Sequence, residues 1–288
     1  DLKKHSINVD TDEGLCHGEV ATLIADPEYE YDIYIWNGEE GESTLEATYD
    51  MGEYQNYELE VRVGNCVATS STSVWYAAIP EAPRICIATF DPEIADGRNK
   101  LVFSPDNWDK DVKKFIAYYK EGADWRKFDS TSNVGQKRYE LADFYTNPAE
   151  QSRTYTVRSK HKCGHFSKQK DWHKTIKVGL FFEESHQNYV IQIMEHYETM
   201  SGYKPYSYDI WVDDGKDFYT IATIDGNNSF YTLNDEKNEV IPGALYYASA
   251  NLPWNCDFGK SNQAVAFSNR SKLVITDIPK LQLPEPEI

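Results

Sequence analysis

The chain has 288 residues, a formal net charge of -18 at pH 7, 40% hydrophobic residues and 14% aromatic residues. This apolar content is enough to build folded cores and argues against an intrinsically disordered chain. The excess of acidic residues excludes nucleic acid and anionic membrane surfaces as partners, because both are bound through basic patches. No run of about 18 apolar residues occurs, so we predict no membrane-spanning segment.

Alternation of apolar and polar residues recurs along the whole chain, and no stretch keeps a helical period for three turns. Tyr57, Leu59 and Val61 are apolar, whereas the residues between them are charged. A strand of this kind has one face in a core and the other in water. The sequence therefore predicts an all-β chain with antiparallel sheets.

The predicted strands follow one another with turn residues between them. In chain order they are 19–25, 29–36, 57–63, 67–76, 100–103, 114–120, 125–130, 138–141, 154–160, 174–180, 189–194, 206–212, 218–224, 229–233, 245–251 and 271–275. Residues 115–119 match 208–212 in order and chemistry, and residues 154–157 match 245–248. This correspondence indicates an internal repeat in the second and third parts of the chain.

Composition divides the chain into modules. Residues 1–79 hold 17 acids and 3 bases, and residues 80–178 hold 14 acids and 19 bases. The segment Ile79–Pro83 contains two prolines, which remove backbone donors and stiffen the chain, so it reads as a linker. We predict modules at 1–79, 80–179 and 180–280, followed by a linker or tail at 281–288.

Two parts of the sequence resemble known modules. Residues 18–23, 29–36, 57–61 and 65–66 resemble the immunoglobulin-like or PKD-like repeats of bacterial surface proteins. Residues 157–167, 173–176, 206–224 and 268–269 resemble the fibronectin type III-like modules of gliding-motility-associated surface proteins. The resemblance implies three consecutive antiparallel β-sandwich modules, the first immunoglobulin-like and the next two fibronectin type III-like. The matching residues belong to cores and turns and not to a site. They therefore indicate a fold, and a fold does not settle a function.

The resemblance also implies where the protein works. It implies a non-catalytic adhesion or spacer unit outside the cytoplasm, on the cell surface or secreted, with an extracellular protein or a glycan as its partner. Two alternatives stay open. One is a carbohydrate-binding protein that uses loop aromatics, and the other is an accessory module of a secreted hydrolase.

Five cysteines lie far apart and form no Cys-Xaa-Xaa-Cys motif. Cys16 and Cys66 fall in the first predicted module, and Cys86 and Cys163 fall in the second, so we predict one disulfide within each. Cys256 is then left free or pairs between chains. Paired cysteines indicate an oxidising compartment. Five reduced, buried thiols remain the alternative.

Residue types that bind metals or take part in catalysis occur at several places in the chain. His161, Cys163, His165 and His173 include types that bind zinc, but lysines surround them and Cys163 is assigned to a disulfide, so we predict no metal site. Neither Asp10–Glu13 nor Asp213–Asp217 has the spacing of a twelve-residue calcium loop. No nucleophile elbow, phosphate loop or dinucleotide motif occurs. We predict no catalytic residue, no cofactor and no enzymatic activity.

Tryptophans in predicted loops are the remaining functional signal. Trp108, Trp172 and Trp254 fall between predicted strands. An aromatic ring offers a sugar an apolar face, and loops carry binding residues more often than strands do. We therefore single out Trp254 as the candidate ligand-binding residue. The alternative is that these tryptophans cover the ends or junctions of the modules.

Overall fold

A computed structural model of the protein describes residues 7–9, 15–16, 19–47, 54–75, 77–91, 97–105, 110–254 and 264–273. Within these ranges the regular structure is strand, apart from one 3-10 helix at Asp235–Lys237. The pairs of strands are antiparallel, which confirms the predicted all-β fold class. In the described part of the chain, no helix has the length and apolar character needed to cross a membrane. The predicted tail at 281–288 lies outside the described residues.

The chain divides into two compact units. The first comprises Asp1–Pro80 together with the short segment His161–Phe166. The second comprises Glu81–Lys160 and Ser167–Ile288. We call these the first unit and the second unit.

The first unit is a sandwich of two antiparallel sheets. Its strands are β1 (Ile7–Val9), β2 (Ala21–Ala25), β3 (Ile33–Trp36), β4 (Glu39–Gly41), β5 (Thr44–Ala47), β6 (Tyr54–Val63) and β7 (Cys66–Trp75). One sheet has the order β1-β2-β5 and the other the order β4-β3-β6-β7. Leu23 of one sheet and Trp36 and Leu59 of the other are buried in the same core.

Local sequence explains the geometry of this unit. Tyr57, Leu59 and Val61 of β6 are buried, as the alternation predicted. Asn37 and Gly38 connect β3 to β4 with φ angles of 48° and 89°. Positive φ at both central residues is the requirement of the tight hairpin turn that Asn-Gly favours.

The second unit contains the remaining strands. They are β8 (Arg84–Asp91), β9 (Arg98–Ser104), β10 (Val112–Glu121), β11 (Asp124–Ser132), β12 (Tyr139–Asp143), β13 (Thr154–His161), β14 (His173–Lys174), β15 (Lys177–Glu183), β16 (Asn188–Glu195), β17 (Glu198–Thr199), β18 (Ser207–Asp213), β19 (Phe218–Asp225), β20 (Phe230–Thr232), β21 (Leu245–Asn251), β22 (Val265–Phe267) and β23 (Ser271–Lys272).

These strands form two sandwiches. In the first, the sheet β12-β9-β8 faces the sheet β11-β10-β13-β14-β17, and both contribute side chains to one core. In the second, the sheet β15-β16-β20 faces the sheet β19-β18-β21-β22, with β23 also paired to β21. With the first unit, this gives the predicted series of β-sandwiches.

The predicted internal repeat agrees with fine details of the two sandwiches. The β10–β11 ladder shifts register after Ala117, and the β18–β19 ladder shifts after Ile210, the matching residue. Tyr155 and Tyr246 also match, and both are fully buried. The Tyr246 hydroxyl donates to the Glu239 carbonyl oxygen over 2.6 Å, which is the tyrosine corner seen in immunoglobulin-like sandwiches.

The two sandwiches of the second unit share apolar contacts. Cys86, Ile87 and Val102 belong to the same buried cluster as Tyr208 and Tyr246 of the other sandwich. The predicted boundary between residues 179 and 180 lies inside β15. The division of this unit into separate modules at 80–179 and 180–280 therefore stays a prediction.

Buried tyrosines of the second unit predict a loss of stability at alkaline pH. Burial raises the pKa of Tyr197 and of Tyr155 well above 10, and burial followed by a hydrogen bond to Glu239 raises the pKa of Tyr231 to about 12. The unfolded chain loses these protons near pH 10, so their contribution is complete below pH 10 and is lost as the pH rises toward the folded-state values. We expect unfolding by urea to become easier above pH 10, and the last part of the tyrosinate absorbance, from the buried tyrosines, to appear only together with unfolding. Ionisation of all tyrosines in the still folded chain would contradict this expectation.

Candidate functional site

Trp254, the residue singled out from the sequence, is half-buried in the second unit just after β21. Its indole Nε1 donates a hydrogen bond of 2.7 Å to the carbonyl oxygen of Cys86. Its ring lies 5.0 Å from the Tyr203 ring and 5.8 Å from the His173 ring, measured between centroids. These contacts fix the orientation of the indole.

A groove runs beside Trp254. One cavity of about 220 Å³ has mixed walls, formed by Arg84, Ile85, Cys86, Asp171, His173, Thr199, Ser201 and Trp254. A neighbouring cavity of about 410 Å³ is lined by Pro83, Arg84, Lys170, Asp171, Met200 and Ser201. Because both cavities share Arg84, Asp171 and Ser201, they form one groove, which we call the Trp254 groove. It combines an aromatic ring with charged groups and hydroxyls, as sites for small polar ligands do.

His173 is the titratable group deepest in the Trp254 groove. Its Nε2 lies 3.1 Å from Asp171 Oδ2, and its Nδ1 lies 2.7 Å from the hydroxyl of fully buried Tyr197. The Asp171 carboxylate accepts, so Nε2 carries a proton and donates to it, and in this tautomer Nδ1 accepts from the Tyr197 hydroxyl, which burial keeps protonated by raising its pKa. Both ring nitrogens are then occupied. His173 has no nitrogen available for a substrate proton, which favours binding over acid–base chemistry in this groove.

The residues considered for zinc have other partners. Cys163 is disulfide-bonded, and its backbone N–H donates to His161 Nδ1 over 3.2 Å. His173 is bonded to Asp171 and Tyr197, as described above. Over the described ranges, no group of three or more histidine, cysteine or acidic residues has a metal-binding arrangement. Asp10–Glu13 and Trp108 lie outside the described residues.

The predicted disulfide pairing is wrong. Cys16 is bonded to Cys163, with 5.2 Å between their Cα atoms, and Cys66 is a free, exposed cysteine. Leu15, the neighbour of Cys16, exchanges backbone hydrogen bonds with Trp75 and Ala77 at the end of β7. Cys66 is at the other end of that ten-residue strand, about 30 Å away. A disulfide requires Cα atoms within about 7 Å, so Cys16 and Cys66 cannot pair.

Mass mapping without reduction tests the cysteine assignments. Cys86 is disulfide-bonded, and because Cys163 is bonded to Cys16, the predicted Cys86–Cys163 pair is also wrong. The sequence has one further cysteine, Cys256, which lies outside the described residues. We expect a Cys16 peptide linked to a Cys163 peptide, the Cys86 peptide in a disulfide, and Cys66 alkylated. Recovery of a Cys16–Cys66 link, or of alkylated Cys86, would contradict the structure.

The sequence analysis missed a second surface, in the first unit. Trp75 ends β7 and is 63% exposed, and Tyr54 begins β6 and is 56% exposed. The two residues are paired across the ladder, and their ring centroids lie 4.9 Å apart with 34° between the ring planes. Two adjoining exposed rings of this size form a small apolar platform.

Polar side chains continue this platform along the same two strands. Register pairs Asn56 with Ser73, Glu58 with Ser71, and Glu60 with Thr69. We call the eight residues of these four pairs the aromatic–hydroxyl face: Tyr54, Asn56, Glu58, Glu60, Thr69, Ser71, Ser73 and Trp75. Beside its polar end is a groove of about 410 Å³, lined by Ile35, Gly38, Glu58, Leu59, Glu60, Thr69, Ser70 and Ser71.

The alternation of β6 and β7 carried enough information to show that Tyr54 and Trp75 both point outward. Tyr57, Leu59 and Val61 point into the core, so Tyr54, in the opposite phase, points outward. Val74 is buried, so its neighbour Trp75 points outward too. Attention to loop tryptophans alone overlooked a tryptophan on a strand.

The chain has structural likenesses but no sequence relatives among known proteins. No protein-family model matches the chain. No curated protein matches it either. Among solved structures, the FN1–FN3 domains of chicken CNTN1 match with 11% identity and a TM-score of 0.30, covering 92% of this chain and 99% of that one. A 1.5-MDa bacterial ice-binding adhesin, described in connection with host cell surface retention, matches with 10% identity and a TM-score of 0.32, covering 93% and 96%.

A Ca²⁺-stabilised adhesin with which an Antarctic bacterium binds ice also matches. The identity is 10% and the TM-score 0.33, with coverage of 94% of this chain and 74% of that one. At TM-scores of about 0.3 these likenesses do not decide a function for this chain. The functional conclusions rest on the residues themselves.

Proposed function

We propose that the protein is a non-catalytic adhesion or spacer unit that is exposed outside the cytoplasm, on the cell surface or in a secreted protein. The observation that carries the proposal is its cysteine chemistry. Cys16 and Cys163, 147 residues apart, are joined, and Cys86 is also disulfide-bonded. Disulfides that join distant parts of a chain form and persist in oxidising compartments.

The strand architecture supports the same proposal. Each of three buried clusters brings together side chains of two antiparallel sheets, and one of them also takes in Cys86, Ile87 and Val102 of β8 and β9. Sandwiches of this type present loops and outer sheet faces to solvent while their cores provide the stability. Within this proposal we also keep the specific hypothesis that the parent is a bacterial gliding-motility-associated surface protein, which rests on the sequence resemblance alone.

Labelling of cells tests the proposal. An antibody raised against the chain is expected to label intact cells of the source organism, or to detect the chain in their medium. Labelling that requires permeabilised cells, with no chain in the medium, would contradict it. Recovery of Cys16 and Cys163 as free thiols from native material would contradict it independently.

The Trp254 groove favours a second candidate function, the capture of glycans through a loop aromatic. Ser201 is exposed and lines both cavities of this groove, so Ser201→Phe would fill the groove without disturbing a core. If the groove binds a glycan, Ser201→Phe abolishes that binding. Ser185→Phe changes another exposed serine of the second unit and is the matched control. Equal binding by both variants and by the native chain would remove the Trp254 groove as a glycan site.

A further inference from the structure

We propose that the aromatic–hydroxyl face of the first unit binds neutral glycans, an inference that rests on the proposed extracytoplasmic function and gives it a ligand class. Tyr54 and Trp75 are the starting point. A large aromatic ring that stays mostly exposed forgoes the favourable free energy of burial, and two such rings in contact form a patch that an apolar ligand face can cover. The C–H face of a pyranose ring is an apolar surface of matching size, and it approaches the π face of an aromatic ring.

Hydrogen-bonding groups that can contact the hydroxyls of such a sugar lie beside the two rings, on the same two strands. Among the described residues, no side chain bonds the Glu58 carboxylate or the hydroxyls of Thr69 and Ser71. Ser73 Oγ donates to Asn56 Oδ1 over 2.6 Å, which leaves the Asn56 amide N–H groups free to donate. A sugar carries both donors and acceptors on each hydroxyl, and this face offers both in return.

The geometry of the ladder makes the face long enough for an oligosaccharide. The β6–β7 ladder runs from Tyr54–Trp75 to Val63–Cys66 without a register shift, so the outward residues stay in line. Trp75 and Thr69 are six residues apart on β7, which corresponds to about 20 Å. The rings are at one end of this line and the groove of about 410 Å³ is at the other. A chain of several sugar rings can therefore contact both.

Charge decides which glycans fit. The face holds the carboxylates of Glu58 and Glu60, and the nearby Arg62 Nε is already bonded to Glu60 Oε1 over 2.7 Å. Residues 1–79 hold 17 acids and 3 bases, so the surrounding field is negative. Sulfated or uronate glycans would be repelled, because like charges brought together cost free energy. Neutral glycans pay no such cost, and they use carboxylates as hydrogen-bond acceptors.

The test is a calorimetric titration of the full chain with neutral oligosaccharides. The probes are hexasaccharides of the cello, xylo, manno and chito series, with a sulfated and a uronate oligosaccharide as the anionic arm. We expect at least one neutral probe to bind and the anionic probes not to bind. Trp75→Ala should weaken that binding by at least about tenfold, because an aromatic contact is worth about 1.4 kcal/mol. Tyr206→Ala removes a tyrosine that is 86% exposed in the second unit and should leave binding unchanged.

A second variant keeps the proposal testable if Trp75→Ala does not fold. Ser71→Arg places a long side chain across the groove from an exposed position and is expected to abolish binding while the thermal unfolding of the chain is kept. The proposal is overturned if no neutral probe binds, if only anionic probes bind, or if both variants bind as the native chain does. Failure here leaves the cell-labelling result untouched, because that experiment does not depend on Trp75 or Ser71. Labelling that requires permeabilised cells would instead remove the proposed function itself.

Discussion

Trp254→Ala is expected to lower the free energy of unfolding of the second unit by about 3 kcal/mol, the lower end of what truncation of a buried tryptophan costs. The half-buried indole packs against the cluster that contains Tyr208 and Tyr246. Truncation removes these contacts and leaves the Cys86 carbonyl oxygen without the donor that now lies 2.7 Å away. Urea unfolding of the full chain, with hydrogen exchange of the β21 amides to localise the effect, measures the loss.

Trp75→Ala is the matched control for this prediction. Its ring is 63% exposed and contacts Tyr54, so its truncation should cost only about 1 kcal/mol. The two truncations thus differ in the size of the expected loss, because the Trp254 indole is packed and hydrogen-bonded whereas the Trp75 ring is mostly exposed. If Trp254→Ala left the β21 amides as protected as in the native chain, the structural role assigned to Trp254 would be wrong.

Most strands could be predicted from alternation alone. β6 and β18 each bury every second residue along much of their length, and the predicted segments overlap both. β8 was missed. Ile85–Phe90 is buried on both faces, so the segment has no alternation to detect, and it follows directly on the predicted linker that ends at Pro83.

The modular arrangement was harder to predict because it depends on contacts between distant residues. Cys86 and Ile87 belong to a cluster whose other members come mostly from beyond residue 175. The two-residue strands β14 and β17 pair with each other across 23 intervening residues, which no local pattern signals. A cut placed at a change of composition could not detect that β15 begins before residue 180.

The candidate site shows the same limit. Trp254 was chosen because loops carry binding residues, but the sequence could not show that its N–H is bonded to Cys86. The outward direction of Trp75 could be predicted from alternation, because its neighbour Val74 in the same strand points inward and is buried. What the sequence could not supply was the register that places Trp75 opposite Tyr54.

The double variant Cys16→Ser, Cys163→Ser is expected to lower the stability of the first unit by about 2–5 kcal/mol, as removal of a native disulfide commonly does. The disulfide joins residues 147 positions apart, so its loss increases the freedom of the unfolded chain over a long loop. In the folded state it holds the segment His161–Phe166 to the rest of the first unit. Trypsin cleavage after Lys160 and Lys162 should therefore accelerate in the variant, and the unfolding midpoint should fall.

Cys66→Ser supplies the contrast. Cys66 is exposed, and its thiol is unpaired, so its replacement should change the free energy of unfolding by less than about 0.5 kcal/mol. The segment His161–Phe166 gives a further check, because two of its backbone hydrogen bonds do not require the disulfide. The Gly164 N–H donates to the His161 carbonyl oxygen over 3.0 Å, and the His161 N–H donates to the His165 carbonyl oxygen over 2.8 Å. If this segment kept its native resistance to trypsin in the double variant, these backbone bonds would suffice to hold it. If the unfolding midpoint also stayed at the native value, the covalent link would be a mark of the compartment in which the protein folds and not a determinant of its stability.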